Sequence, residues 1–397
     1  MNAITDLSLI DGPLPAILWA MGVASLIYLI FRRSWRWWLF AAVAAILAAL
    51  LSVVCSWAVI HVFYWWAEDL PAIVTINLAL ALWSLALGCT TAFAGLRRHA
   101  GRRRGLPTSR IRRVLAVAAT VVLLAVSGLQ VNAYFGEYPT VGSLLGQQPA
   151  LSTARLPPPV SSGDARFMET PVASRWRPPP GLPRTGVLKA VQIPGTLSGF
   201  HGRDAIVYLP PAYFAAQRPV LPVLVLVSGQ PGSPQSWLRS TNLSYDLDAY
   251  AAAHDGLAPI VVIPDPNGGD QENTMCMDSD IAQAGSYMSG DVPNWIKTHL
   301  DVDSNPAHWA IGGFSYGATC SLQMVTRRPD MYQTFMAIAP EREPALAAKR
   351  SVTVERAFKG DAAAFDSQLP CRGQRTPPGL WANKAGPGAA TPGRDPP

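Results

Sequence analysis

A serine set between glycines offers the most definite chemistry in this chain. Gly313-Phe314-Ser315-Tyr316-Gly317 reads G-x-S-x-G; an apolar run at His308–Ile311 precedes it and a helical pattern at Ala318–Arg328 follows. A strand that turns into a helix within so few residues strains the serine backbone, and flanking glycines relieve the contacts with strand and helix. The strain lifts the hydroxyl above the sheet edge, where it can attack an acyl carbon. Without that context the same residues are a glycine-rich turn with an incidental serine.

Attack on an acyl carbon builds charge on oxygen, which needs N–H donors. Tyr316, directly after the serine, supplies one by position. Gln230, in Ser228-Gly229-Gln230-Pro231-Gly232, is the choice for the second, with a plain Gly/Pro loop as the other reading. The hydroxyl also needs a base. All six histidines, at 61, 99, 201, 254, 299 and 308, precede Ser315. His201 and His254 would reach the serine only by an unusual folding back. Glu341, after the apparent strand Thr334–Ala339, is the acid on offer. Five cysteines without a CxxC or metal-like Cys/His spacing argue against a metal site, and no cofactor is expected. Cys276 and Cys320 are candidates for one disulfide if their domain lies outside the cytoplasm. Cys55 and Cys89 fall in apolar segments as small fillers.

The elements around these residues alternate. Val187–Ile193, Asp204–Leu209, Val223–Val227 and Ile260–Ile263 read as strands, the last two as short runs buried on both faces. Asp291 is expected to cap a helix with Pro293 in its first turn and Val292, Trp295, Ile296 and Leu300 on one face. Together these imply a mostly parallel sheet with flanking helices.

The first third of the chain is different. Overall 49% of residues are hydrophobic and 15% charged, and the shortage of charge is concentrated there. Leu14–Phe31, Trp37–Ala67, Pro71–Leu96 and Val114–Phe135 contain no Asp, Glu, Lys or Arg and are long enough to span a bilayer. The second exceeds one span, so part of it tilts or lies at the interface. Asp6 and Asp11 precede the first run and Arg32, Arg33 and Arg36 follow it, the reverse of a signal peptide. Eight arginines lie between Arg97 and Arg113; set between apolar runs, they mark a cytoplasmic loop and not a nucleic-acid patch. Both termini then lie outside, with everything after Phe135 extracytoplasmic. No ionisable Asp, Glu, Lys or Arg sits within a span, which argues against transport. Residues 136–184, with Pro157–Pro159 and Pro178–Pro180, suit a semi-rigid extracytoplasmic tether.

From Val187 to Phe365 the chain resembles the esterases related to esterase D and to mycobacterial mycolyltransferases, in a membrane-anchored actinobacterial form. The resemblance rests on Ser198–Arg203, Tyr208–Tyr213, the Gly229–Gly232 loop, Asn273–Ser279 and the Ser315 turn. It implies an α/β-hydrolase fold, so with the four apolar runs the expected architecture is four transmembrane helices followed by an α/β-hydrolase domain over residues 185–370. It also implies ester hydrolysis or acyl transfer by a Ser-Asp/Glu-His triad, onto which only Ser315 carries over firmly. The triad order in this fold is serine, acid, histidine, and no histidine follows Ser315. Residues 371–397 hold six prolines and five glycines without strand or helix period. That change reads as premature termination, a shifted frame or a native disordered tail, and the first two would leave the last strands, acid and histidine missing. The expectation is a membrane-tethered extracytoplasmic serine esterase or acyltransferase, impaired in this chain. It would act on an acyl ester or envelope lipid beside the bilayer, with no nucleic-acid partner. The rival is a non-catalytic envelope binding or scaffold protein on the same fold.

Overall fold

The computed structural model describes residues 4–93, 110–160 and 167–370. Residues 371–397, His99 and the arginines at 97–104 fall outside the described residues, so the expectations placed on them do too.

Four helices come first: α1 (Pro13–Ile30), α2 (Trp35–His61), α3 (Ala72–Phe93) and α4 (Arg110–Phe135), each long and apolar enough to cross a membrane. Small residues let them approach closely. A Cβ on Gly88 of α3 would stand 1.9 Å from Thr120 Oγ1 of α4, and one on Gly22 of α1 would stand 3.2 Å from Val126 of α4. The second apolar stretch stops as helix at His61, and residues 62–71 form a loop carrying Phe63, Tyr64 and Trp65. The Leu9 N–H donates to the Pro139 carbonyl at 2.8 Å, so the chain before α1 and the chain after α4 meet on one side. An even number of membrane crossings would require this. At the other end Tyr28 donates to the Arg112 carbonyl at 3.4 Å, which places Arg32–Arg36 and Arg110–Arg113 at the end away from the following domain.

After a single turn, α5 (Val141–Leu144), the proline-rich segment differs from the expected tether. It is bound along the next domain. Val160 N–H donates to Asp301 at 3.0 Å, Met168 N–H to Asp303 at 3.1 Å, and the Trp176 indole to the Asp255 carbonyl at 2.9 Å. Leu156, Val172 and Trp176 pack on the core. A proline-rich chain cannot build a ladder of its own, so its remaining donors pair outward with buried carboxylates.

The sheet comprises β1 (Val187–Val191), β2 (Ala205–Leu209), β3 (Val223–Val227), β4 (Ile260–Ile263), β5 (Trp309–Phe314) and β6 (Thr334–Ile338) in the order β1-β2-β4-β3-β5-β6. The β3, β4, β5 and β6 pairings are parallel, whereas β2 runs antiparallel to β1 and β4. Helices α6 (Ser236–Arg239) and α7 (Leu243–Ala253) join β3 to β4, and α8 (Ala284–Ser286) and α9 (Val292–His299) join β4 to β5. Helix α10 (Tyr316–Arg327) leaves β5, and α11 (Arg350–Phe358) and α12 (Ala362–Ser367) follow β6. Among the described residues no strand pairs with the outer edge of β6. This is the α/β-hydrolase architecture.

Strand alternation fills both faces. Val223, Val225 and Val227 of β3 and Ile260 and Val262 of β4 enter the core under α9 and α10, while Leu226, Val261 and Ile263 enter the core under α7. Each such fully buried branched side chain contributes about 1.5–3 kcal/mol. The expected cap at Asp291 is not formed. A π-helical turn over Tyr287–Asp291 runs directly into α9, so no first-turn N–H is free there. The carboxylate of Asp291 instead accepts from Leu197 N–H at 2.7 Å and from Ser198 Oγ at 2.6 Å, fixing the loop after β1.

Candidate active site

β5 runs as far as Phe314, three residues beyond the expected strand, and Ser315 is the single residue between it and α10. Its φ of 52° and ψ of −124° lie where a side chain is strained. Two glycines make the turn possible. A Cβ on Gly313 would stand 2.3 Å from the Gly317 carbonyl carbon, and one on Gly317 would stand 2.1 Å from the Val227 carbonyl oxygen. The strain is held by backbone bonds. Ser315 N–H donates to the Ile338 carbonyl of β6 at 2.9 Å, and its own carbonyl accepts from Ala318 at 2.9 Å and Thr319 at 3.1 Å.

Ser315 Oγ has no hydrogen-bond partner among the described residues. The Tyr316 N–H likewise has no acceptor there, as expected for the first residue of a helix. The Tyr316 ring is buried beneath the turn; its hydroxyl meets Thr274 Oγ1 at 2.9 Å, and burial holds its phenol well above the usual range. Gly229 packs directly behind the turn, where a Cβ would stand 2.7 Å from the Phe314 ring. Gln230 follows it at the mouth of the same loop, with its side-chain amide on the Gln271 carbonyl at 3.2 Å.

A brace absent from the sequence reading holds this loop. Arg203 donates to the Gly232 carbonyl at 2.8 Å, grips the buried Asp265 through Nε at 2.6 Å and Nη2 at 3.0 Å, and also binds Asp270. Asp265 further accepts from Asn267 N–H at 3.2 Å and Gly268 N–H at 3.1 Å. The loops after β3 and β4 and the start of β2 are thereby joined. Arg203 lies within a quoted motif, yet nothing local shows that it reaches residues 29 to 67 positions away. A cleft of about 530 Å³ opens on this same edge, lined in part by Ser198, His201, Asn267, Glu272 and Thr274.

The histidines divide by edge. His201 is exposed, just before β2, at the edge that carries Ser315. His299 and His308 precede β5 and His254 precedes β4, at the opposite ends of those strands. Six strand residues separate His308 from Ser315, or roughly 20 Å at the usual rise. His254 and His308 line a separate cavity of about 200 Å³ under the proline-rich segment, where His308 Nδ1 meets Asp303 at 2.5 Å. His254 is therefore not placed to act on Ser315. Glu341 comes closer: its N–H donates to Thr319 Oγ1 at 2.9 Å. Its carboxyl group is pushed up to about 7 by burial and then by the Glu68 carboxylate. No hydrogen bond joins it to Ser315 or to a histidine among the described residues. The sulfurs of Cys276 and Cys320 stand 1.96 Å apart, joining the segment after β4 to α10 one turn beyond the serine.

Residues 201–389, just under half of the chain, match the model of the family described as "Putative esterase". Over that segment the chain is similar to the esterase family. The chain is 37% identical over 262 residues to an uncharacterized protein of Corynebacterium glutamicum, covering 65% of this chain and 58% of that protein. It thus spans little more than half the length of that curated relative. Among solved structures the esterase domain is similar to an S-formylglutathione hydrolase from Agrobacterium tumefaciens, with 19% identity, a TM-score of 0.38, and coverage of 48% of this chain and 70% of the other. It is also similar to a ferulic acid esterase, with 19% identity, a TM-score of 0.36, and coverage of 39% and 58%.

Proposed function

We propose that this chain is a membrane-tethered serine hydrolase of the carboxylic-ester type, or an acyltransferase, with Ser315 as nucleophile. The observation that carries the reading is the strained Ser315 backbone, set between two positions where no side chain fits. In the proposed reaction Ser315 Oγ bonds to the ester carbonyl carbon and its proton passes to water or to His201. Tyr316 and Gln230 N–H groups take the charge on the carbonyl oxygen. The carbon–alkoxy bond then breaks, and the alcohol leaves with a proton. Water, or an acceptor hydroxyl in transfer, cleaves the acyl-serine and returns the proton to Oγ.

The basic Arg32–Arg36 segment lies at the opposite end of the helices from the esterase domain, which supports an extracytoplasmic domain and an acyl ester or envelope lipid as substrate. Among the described residues, His201 is the histidine on the edge that carries Ser315, which supports it as the group that takes the serine proton. A binding or scaffold protein is the second reading, favoured by the lack of a described partner for Ser315 Oγ. Hydrolysis of a simple activated ester separates them. A slow rate that falls on Ser315→Ala supports the enzyme, whereas an identical rate in both proteins supports the scaffold.

A further inference from the structure

The contacts that join the esterase domain to the membrane helices come from its catalytic edge. Glu137, two residues past α4, accepts from Arg239 Nε at 2.7 Å, and Ser240 Oγ meets the same carboxylate at 3.1 Å. The Arg239 guanidinium carbon also lies 5.6 Å from the Tyr138 ring centre. Arg239 closes α6, which follows the carboxyl end of β3. Beyond β6, the Arg356 guanidinium of α11 stands 5.4 Å over Tyr64, in the loop between α2 and α3. Glu68 of that loop is the charge that acts on Glu341, three residues past Ile338. The two contact zones flank the strand end where Ser315 sits. The opposite edge is covered by the proline-rich segment.

The α2–α3 loop fixes the depth of this arrangement. Phe63, Tyr64 and Trp65 are exposed at the end of a membrane helix, where aromatic side chains settle at headgroup level. Arg356, in contact with Tyr64, is then at headgroup level too. Large apolar side chains are also exposed on the catalytic edge: Leu197 after β1 is 68% exposed, Ile338 at the end of β6 is 50% and Ile281 beside the cleft is 43%. Exposed apolar side chains on the edge that also carries the membrane-facing contacts fit lipid.

We infer that Ser315 faces the bilayer leaflet on the Phe135 side, and that its substrate is an amphiphile whose chains remain in that leaflet while its ester rises to the catalytic edge. The substrate half rests on the reading of Ser315 as nucleophile. The surface half does not.

Two arms of one experiment keep them apart. The full chain, with Cys55, Cys89 and Cys371 replaced by serine, is placed in nanodiscs containing headgroup-spin-labelled lipid, with one fluorophore on Leu197→Cys, Ile338→Cys or Tyr250→Cys. The lipid should quench the labels at 197 and 338 and spare the one at 250, which lies toward the opposite edge. Equal quenching at all three, or stronger quenching at 250, overturns the orientation. In the second arm, a hexadecyl fluorophosphonate and a short polyether fluorophosphonate compete for Ser315 in unlabelled nanodiscs. A long apolar chain concentrates the reagent in the leaflet, so the hexadecyl reagent should react faster by at least about tenfold. Equal rates, or a faster polyether reagent, overturn delivery from the leaflet. Reaction with neither removes the nucleophile reading and the substrate half with it, and quenching still decides the surface.

Discussion

The Ser315 N–H donates to the Ile338 carbonyl at 2.9 Å, so the strained residue is tied to the last position of β6. The serine backbone thus depends on a neighbouring strand as well as on its own turn. The glycines on either side set the tolerance of that arrangement.

Gly317→Ala tests the tolerance. The new Cβ would meet the Val227 backbone carbonyl, which the β3–β5 ladder holds in place. The substitution should destabilise the esterase domain by about 3 kcal/mol, the upper part of the usual range for overpacking. Gly290→Ala is the comparison, since its Cβ would meet only the flexible end of Leu197 at 3.3 Å. Thermal unfolding in detergent should show a large downward shift for the first variant and a small one for the second. Equal shifts would mean that the turn relaxes.

Such close approaches explain what could be read in advance and what could not. The branched runs of β3 and β4, and the serine between glycines, carry local signals that survive in a single sequence. Asp291 misled because N-cap chemistry and loop-binding chemistry use the same carboxylate, and a π-helical turn ahead of it is locally silent. The proline-rich segment showed its lack of self-pairing but not that Asp301 and Asp303 would take its donors. Arg203 and Asp265 meet only through the order of β2 and β4, which residue spacing does not encode.

The raised Glu341 carboxyl group gives a pH dependence with a definite sign. Its folded value of about 7 lies above the unfolded value near 4.5, so the folded state binds the extra proton between them. Stability should therefore fall as pH rises through that window. Glu341→Gln should flatten the unfolding midpoint between those pH values, and Glu68→Gln should move the fall to lower pH. A midpoint that rises with pH across the window and is unaffected by Glu341→Gln would refute the assignment.

Cys276 and Cys320 are 44 residues apart in sequence. Closing a loop of that length is worth about 4 kcal/mol in the chain-entropy account. Denatured, non-reduced protein should show neither thiol free, and Cys320→Ala should lower the unfolding midpoint. Two free thiols under those conditions would remove the bridge from the account.

Peptide mass mapping after brief exposure to an activated acyl ester tests the central claim most directly, because it reads the acyl-enzyme and not turnover. One acyl adduct is expected, on the peptide containing Ser315 and absent from Ser315→Ala. Acylation elsewhere, or an adduct that persists in Ser315→Ala, would contradict it.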